Sequence, residues 1–264
     1  MFISFIILFN YTCSSSVDEL EENPYAYKTL KSWEDVITPS VFNNKEALDA
    51  EFNYYYPWGR DHNGTARMYG YPDHIYPSGG ILTLTATKIT WDEGNSSKDP
   101  YLPIHYHSGA VYAKDQIVVN DQFPNWEIKV EAQAPSAKGT WPAFWITGVN
   151  SWPPESDIME FKGSNVCWQN TYDGSWQTTK TTVSNPGNWH TYRIWMTKIN
   201  NTDVDIHYYI DGTWKAKHTA KNFVNKPMWL ILNLQMEGSS GSPGPTSVTT
   251  LKFKNIYVGR TRNY

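Results

Sequence analysis

Three carboxylates, Glu155, Asp157 and Glu160, lie within six residues of an otherwise apolar segment. Buried acids are costly unless they are paired or hydrogen-bonded, so a core strand rarely carries three for structural reasons alone. Side chains of a strand alternate between its two faces, which puts Glu155 and Asp157 together and Glu160 on the opposite face. One β-bulge between Asp157 and Glu160 restores the parity. With that bulge, we expect all three carboxylates on one face.

Carboxylates in this arrangement suit glycoside hydrolysis. A retaining glycosidase places nucleophile and acid roughly 5–5.5 Å apart, and an inverting enzyme roughly 6.5–9.5 Å apart. Four strand steps separate the two Glu backbones by roughly 13 Å, so their side chains have to lean together across a curved sheet. Asp157, between them, can hold the acids at different protonation states. The alternatives are a solvated acidic strand or a calcium site, but the apolar flanks favour the catalytic interpretation.

The elements that would position these acids are predicted to be short strands. Apolar and polar residues alternate in segments 81–87, 126–132, 191–196, 204–210 and 251–258. Asp211-Gly212 predicts a hairpin turn, and residues 32–36 are expected to open a short helical turn. Many short strands separated by Gly, Pro and Asn indicate a sandwich. Long connections at 70–80, 93–102 and 237–246 are candidate rims of a cleft.

Composition is consistent with one carbohydrate-binding domain. The chain has 264 residues, 16% aromatic residues and 13 Trp, which is typical of a single all-β domain in length. Trp and Tyr are too numerous for core filling alone, and sugars stack their C–H faces on such rings. The net charge is -4 and no basic run occurs, which argues against a nucleic acid as partner.

The amino terminus predicts export. Residues 1–13 are expected to be a signal peptide that ends in a lipidated Cys13, residues 14–27 a flexible tether, and residues 28–264 the catalytic β-sandwich. No basic residue precedes the apolar run, and Tyr11-Thr12 departs from the usual lipidation motif. The expected location is outside the cell or on its outer membrane or surface, in a Gram-negative bacterium, and the expected state is a monomer. The remaining cysteine, Cys167, is predicted to be a buried free thiol.

The acid motif and its surroundings resemble glycoside hydrolase family 16. Glu155, Asp157 and Glu160 match the family's E-x-D-x-x-E signature in its bulged form. The segments that agree in order are Ser108-Gly109 with Lys114-Asp115, residues 139–145 (GTWPAFW), residues 189–192 (WHTY), residues 209–212 (YIDG) and residues 227–233 (PMWLILN). The resemblance extends from about residue 79 to 258. It implies an all-β, two-sheet β-jelly-roll sandwich with a concave substrate cleft.

Carried over residue by residue, the resemblance implies that Glu155 is the nucleophile, Glu160 the general acid and then base, and Asp157 the helper. It implies a retaining enzyme without a cofactor. Some members hold a calcium ion with an Asp in the last strand. Lys254 stands at that position, so we expect no metal.

The resemblance is greatest to the red-algal galactanases of the family, and first to the β-porphyranases of gut Bacteroides. It implies endo-acting cleavage of β-1,4-galactosidic bonds in sulfated porphyran. The alternatives are a β-agarase on neutral agarose, a β-1,3-glucanase, and a non-catalytic lectin. The predicted substrate-binding residues are Trp58, Arg60, Trp141, Trp145, Asn170, Asn233 and Gln235, with Arg60, Arg67 and Lys138 as candidate sulfate contacts.

Overall fold

Two β-sheets packed face to face make up most of residues 32–263, the part of the chain that the computed structural model describes. The predicted all-β jelly-roll sandwich is therefore confirmed. The predicted signal peptide, Cys13 and the tether lie outside the described residues.

Seventeen strands form the two sheets. In chain order they are β1 (Ser32–Ile37), β2 (Phe52–Tyr54), β3 (Ala66–Met68), β4 (Ile75–Ser78), β5 (Ile81–Lys88), β6 (Tyr106–Ser108), β7 (Ala110–Ala113), β8 (Asn125–Gln133), β9 (Thr140–Gly148), β10 (Glu155–Phe161), β11 (Val166–Tyr172), β12 (Trp176–Thr182), β13 (His190–Lys198), β14 (Val204–Ile210), β15 (Thr213–Ala220), β16 (Met228–Met236) and β17 (Thr249–Arg262). The helices within residues 32–263 are α1 (Lys45–Glu51) and two 3₁₀ turns, Pro39–Phe42 and Gly238–Ser240.

The three carboxylates lie on a middle strand of the smaller sheet, β10. This seven-stranded sheet has the order β12-β11-β10-β9-β16-β7-β2. The ten-stranded sheet has the order β15-β14-β13-β8-β17-β5-β6-β3, with β1 added to β17 and β4 to β5. Strand β10 pairs antiparallel with both β9 and β11. Each carboxylate is thus fixed by a neighbour on both sides.

The core fills the space between the sheets. Trp126, Ile128 and Val130 of β8 point inward, as do Phe144 and Ile146 of β9, and all five are fully buried. The intervening residues of β9 therefore face away from the core, into the hollow of the smaller sheet. Cys167 is a buried free thiol, as predicted.

Two local expectations have different outcomes. The Asp211-Gly212 turn is confirmed, since both residues have positive φ (51° and 75°) between β14 and β15. The helical turn at 32–36 is wrong, because these residues form β1 and pair with the distant strand β17.

The segment that is helical is α1, which follows Asn44. The Asn44 side chain accepts a hydrogen bond from the Ala47 amide and caps the helix. Within residues 32–263, no helix is both long and apolar enough to cross a membrane.

Candidate active site

A β-bulge in β10 brings the three carboxylates to one face, as the motif predicts. Across β11, Asp157 pairs with Asn170 and Glu160 pairs with Trp168. Three steps along β10 therefore correspond to two along β11. The extra residue turns Glu160 onto the face of Glu155 and Asp157, and all three line one cavity of about 660 Å³.

The carboxylates have different hydrogen-bond partners. Trp152 Nε1 donates to Glu155 Oε2 at 2.9 Å. Trp141 Nε1 donates to Glu160 Oε1 at 2.5 Å, and Lys162 Nζ lies 3.1 Å from Glu160 Oε2. Glu160 thus has two donors of its own, one of them a cation, while Glu155 has a single indole.

The third carboxylate is joined to Glu160 by an amide. Asn170 Nδ2 donates to Asp157 Oδ2 at 2.8 Å and also lies 3.3 Å from Glu160 Oε2. Asp157 and Asn170 are both almost completely buried. The amide therefore holds the two carboxyl groups at a fixed spacing.

Burial and mutual repulsion raise the pKa values of two of the acids. Burial raises the pKa of Glu155 to about 7, with the Glu160 charge acting in the same direction and the Trp152 hydrogen bond and Lys162 opposing it. Burial, with the charges of Glu160 and Glu155, holds the pKa of Asp157 well above its usual range. Glu155 and Asp157 therefore keep their protons to a higher pH than ordinary carboxyl groups do.

An aromatic wall stands beside the acids. His62 stacks on Trp145 at 5.8 Å, and Trp58 packs edge-on to Trp145 at 6.1 Å. Trp145 Nε1 donates to Asn233 Oδ1 at 2.7 Å, which fixes the indole plane. Burial and the nearby Lys98 charge lower the pKa of His62 to about 4, so its ring is neutral at pH 7. Trp58, His62, Trp145 and Asn233 all line the cavity.

Comparison with known proteins agrees with this geometry. The description of the matching family is "Glycosyl hydrolases family 16", and the match covers residues 68–252. The chain is also 41% identical over 233 residues to a galactan endo-beta-1,3-galactanase from Flammulina velutipes, over 87% of this chain and 92% of that protein. The chain belongs to glycoside hydrolase family 16. It is therefore a glycoside hydrolase, as its sequence predicts.

Solved structures of two glucanases share the fold. An endo-1,3-beta-glucanase from Streptomyces sioyaensis superposes with a TM-score of 0.68 at 18% identity, over 88% of this chain and 97% of that one. An endo-beta-1,3-glucanase from Pyrococcus furiosus gives 0.67 at 20% identity, over 89% and 97%. At these identities the likeness concerns the sandwich itself.

Most of the substrate-binding residues predicted for this family 16 enzyme lie at its cavity. The structure brings to the cavity Trp58, Trp141, Trp145, Asn233 and Gln235. Trp141 and Trp145 both line it, because they lie four residues apart on β9 and share a face. Gln235 also accepts the Ala66 amide at 2.8 Å and braces the neighbouring strand β3.

Two of the predicted substrate contacts do not line this cavity. Arg60 is not among the cavity-lining residues; its guanidinium stacks on Tyr69 at 4.0 Å and Tyr55 at 5.1 Å, and its Nε donates to the Met68 carbonyl. Asn170 does not line the cavity either, since its amide is bound to Asp157 and Glu160.

The two other candidate sulfate ligands also lie away from the cavity lining. Arg67 is engaged by both oxygens of Asp61, at 2.8 and 3.1 Å, and by Glu93 at 2.9 Å. Lys138 packs beside Gly241. Sequence alone could not show that Arg67 is neutralised by neighbours.

The sequence analysis missed a second aromatic group at the cavity. Trp152 and Trp176 line it and are 56% and 52% exposed. Tyr172 stacks on Trp152 with ring centroids 4.2 Å apart, and its ring is tilted against that of Trp176 at 4.7 Å. The available signal was Trp152 itself, three residues before Glu155 in a Pro-rich segment.

Residues 32–263 contain no group of three His, Cys, Asp or Glu side chains placed as metal ligands. His107 lies on β6 and His105 directly precedes it. Both histidines are hydrogen-bonded to carboxylates. His105 Nδ1 lies 2.6 Å from Glu237 Oε2, and His107 is hydrogen-bonded to Glu93.

Proposed function

We propose that this family 16 enzyme is an endo-acting, retaining β-galactanase whose preferred substrate is β-1,3-linked galactan. The observation that carries the proposal is the bulged Glu155, Asp157 and Glu160 triad on one wall of an aromatic-lined cavity. The relative named galactan endo-beta-1,3-galactanase, which matches at 41% identity over most of both chains, supports the sugar and the linkage.

In this proposal Glu155 attacks the anomeric carbon while Glu160 gives its proton to the departing glycosidic oxygen. The C–O bond to the leaving sugar breaks as the bond to the Glu155 carboxylate forms. Glu160 then takes a proton from water, and the hydroxide formed displaces Glu155 with a second inversion. The product keeps the β configuration, and both carboxyls return to their starting states.

The surroundings of each carboxyl suit its proposed role. Glu160 keeps contact with both Trp141 and Lys162, which stabilise its carboxylate once the proton has left. Burial and the charges of the two Glu groups hold the pKa of Asp157 well above its usual range, which favours its protonated form. It can therefore sit between two Glu groups without adding a third negative charge.

The aromatic walls support binding of a chain of pyranoses. Trp58 and Trp145 line the cavity together with the acids, and Trp152 and Trp176 add two exposed indoles. Galactose presents an apolar C–H face that stacks on such rings, while Asn233 and Gln235 offer amide contacts to hydroxyls.

The sequence-based expectation of β-1,4 cleavage in sulfated porphyran stays as the second candidate. The observation that favours it is a pair of lysines, Lys162 and Lys180, whose ammonium groups both contact the Trp168 ring. Neutral agarose and β-1,3-glucan are less favoured substrates than porphyran. The non-catalytic lectin is set aside, because the chain belongs to a family of glycoside hydrolases.

Product analysis tests this proposal. The full chain is incubated with β-1,3-galactan, laminarin, agarose and porphyran at equal mass, and products are sized over time. Glu160→Gln prepared in parallel controls for contaminating hydrolases. We expect a ladder of neutral oligosaccharides from β-1,3-galactan. Cleavage of porphyran alone would replace the first substrate with the second, and cleavage of laminarin alone would make the enzyme a glucanase.

A further inference from the structure

A cationic patch lies on the cleft face directly beyond Glu160. In the register of β11 with β12, Trp168 pairs with Lys180 and Tyr172 pairs with Trp176. Trp176 lines the cavity, and Lys180 lies four residues along the same strand. Side chains two and four residues apart on a strand share a face, so Lys180 and Trp168 point to the cleft side of the sheet.

The third member of the patch comes from β10 and its continuation. Lys162 follows Glu160 by two residues and contacts its carboxylate at 3.1 Å. Its Nζ lies 4.8 Å from the centroid of Trp168, and Lys180 Nζ lies 3.7 Å from the same centroid. The ammonium groups of two lysines therefore contact the same indole ring.

The charges of the patch are unbalanced. Within residues 32–263, no carboxylate lies at ion-pair distance from Lys180, and the partner of Lys162 is Glu160. Lys180 is exposed and Lys162 is 25% exposed. When Glu160 carries its catalytic proton, neither ammonium has a counter-ion in the described part of the chain.

The patch differs from the neutral walls of the cavity. Trp152 and Trp176 present exposed ring faces to a sugar, whereas Trp168 has ammonium groups against its ring. Cation–π contacts of this kind hold a lysine at a defined position. A positioned ammonium binds an oxyanion by a charge-assisted hydrogen bond, and two of them fit a group with several acceptor oxygens.

We propose that Lys162 and Lys180, held by Trp168, form a subsite for an anionic substituent on the galactan, next to the scissile bond. The ligand class is an oxyanion on a sugar, either a sulfate ester or a uronate carboxylate. This subsite rests on the proposed function in that the galactan must lie along the triad. It takes over the sulfate-binding role that the sequence assigned to Arg60, Arg67 and Lys138.

The test compares selectivity in wild type and Lys180→Gln. Each is assayed on two pairs of galactan oligosaccharides, one sulfated and its desulfated form, the other uronate-bearing and its carboxyl-reduced form. We expect wild type to show a higher kcat/KM for the anionic member of one pair, and Lys180→Gln to reduce that ratio by about 3- to 10-fold. The preference should also fall as salt rises from 20 to 500 mM. The pair that responds identifies the oxyanion.

Two control variants keep the result specific. Lys88→Gln removes an exposed lysine whose Nζ lies 6.0 Å from the Tyr106 ring, and its ratio should stay at the wild-type value. Lys98→Gln removes the cation that lines the cavity beside His62. Equal ratios in wild type and Lys180→Gln, or loss of preference in Lys98→Gln instead, would overturn the proposal.

A binding measurement separates this subsite from the proposed function. Glu160→Gln is titrated calorimetrically with each oligosaccharide, with and without Lys180→Gln. Tighter binding of the anionic member that depends on Lys180 supports the subsite even if β-1,3-galactan is not the substrate. Equal affinity for both members of each pair rejects the subsite even if galactan is cleaved.

Discussion

At the scale of single residues, the spacing of Glu155, Asp157 and Glu160 predicted the site because a strand has a fixed parity. One bulge was needed for a shared face, and the register of β10 contains it. The partners of the acids were harder to predict. Trp152 and Lys162 reach Glu155 and Glu160 over two or three residues, but Asn170 reaches them from another strand. Such contacts depend on which strands pair and in which register, and a single sequence does not show this.

The two glutamates should differ in their response to the leaving group. Glu155→Gln removes the proposed nucleophile, so turnover should fall by about 10³-fold or more on every substrate. Glu160→Gln removes the proton donor, so activity on galactan should fall similarly while an aryl β-galactoside oligomer with an acidic phenol is still cleaved at its first step. A burst of phenol from Glu160→Gln measures this difference.

A matched acid-to-amide change controls for that comparison. Glu46→Gln alters an exposed glutamate in α1 and should leave both activities at the wild-type level. Equal losses of phenol release in Glu155→Gln and Glu160→Gln would contradict the assigned roles.

The pH dependence of stability follows from the raised pKa of Glu155. Burial raises that pKa from 4.5 to about 7. The free energy of unfolding therefore falls as pH rises through this range, because Glu155 then ionises inside the folded protein. The contribution of Glu155 to the free energy of unfolding is fully present below pH 4.5 and is lost above about pH 7. Glu155→Gln should therefore stabilise the protein by roughly 1–3 kcal/mol at pH 8, discounted for partial exposure, and by little at pH 4.5. Thermal melts at both pH values measure this, and a difference that shrinks with rising pH would contradict it.

At the scale of elements, the alternating strands were predictable and the exceptions had long-range causes. Segments such as 81–87 and 204–210 alternate and became β5 and β14. Residues 32–36 form a strand because β17 offers an edge from the other end of the chain. Helix α1 had a local signal in Asn44, whose side chain caps it.

The bulge itself has a brace. Gln169 lies on β11 opposite the bulged residues, and its Nε2 donates to the Ile158 carbonyl at 3.1 Å. Gln169→Leu leaves that buried carbonyl without its donor, at a cost of about 1–3 kcal/mol. We expect the bulge to relax and Glu160 to shift, so kcat should fall by about tenfold or more with little change in KM.

A second glutamine separates positioning from stability. Gln177 of β12 donates to the Thr219 carbonyl at 2.8 Å, away from the bulge. Gln177→Leu should lower the melting temperature yet keep kcat. If both variants lost kcat in proportion to stability, Gln169 would have only a structural role.

At the scale of the whole molecule, one tyrosine links the ten-stranded sheet to the core-facing side of β10 and β11 in the seven-stranded sheet. Tyr208 of β14 is hydrogen-bonded to Ser156 at 2.6 Å and Thr171 at 2.7 Å, and it donates to the Asn170 carbonyl at 2.8 Å. This buried contact ties the position of β10 and β11 to the opposite sheet. The sequence showed the strands but not which polar groups would meet between the sheets.

Removal of that hydroxyl should destabilise the sandwich. Tyr208→Phe leaves two buried hydroxyls short of a partner, so the melting temperature should fall by roughly 3–8 °C. Tyr192→Phe is the matched control, since its buried hydroxyl has no hydrogen-bond partner within residues 32–263. That variant should melt at or above the wild-type temperature. Equal effects of the two changes would show that the link between the sheets carries no stability.

The anomeric configuration of the first products tests the central claim most directly. The full chain is mixed with linear β-1,3-galacto-oligosaccharides, and proton NMR follows the new reducing ends before mutarotation. The proposed roles of Glu155 and Glu160 predict β-anomers first, with α-anomers appearing only at the rate of mutarotation. α-Anomers as the first product would contradict a Glu155 nucleophile and require a water-mediated inversion instead.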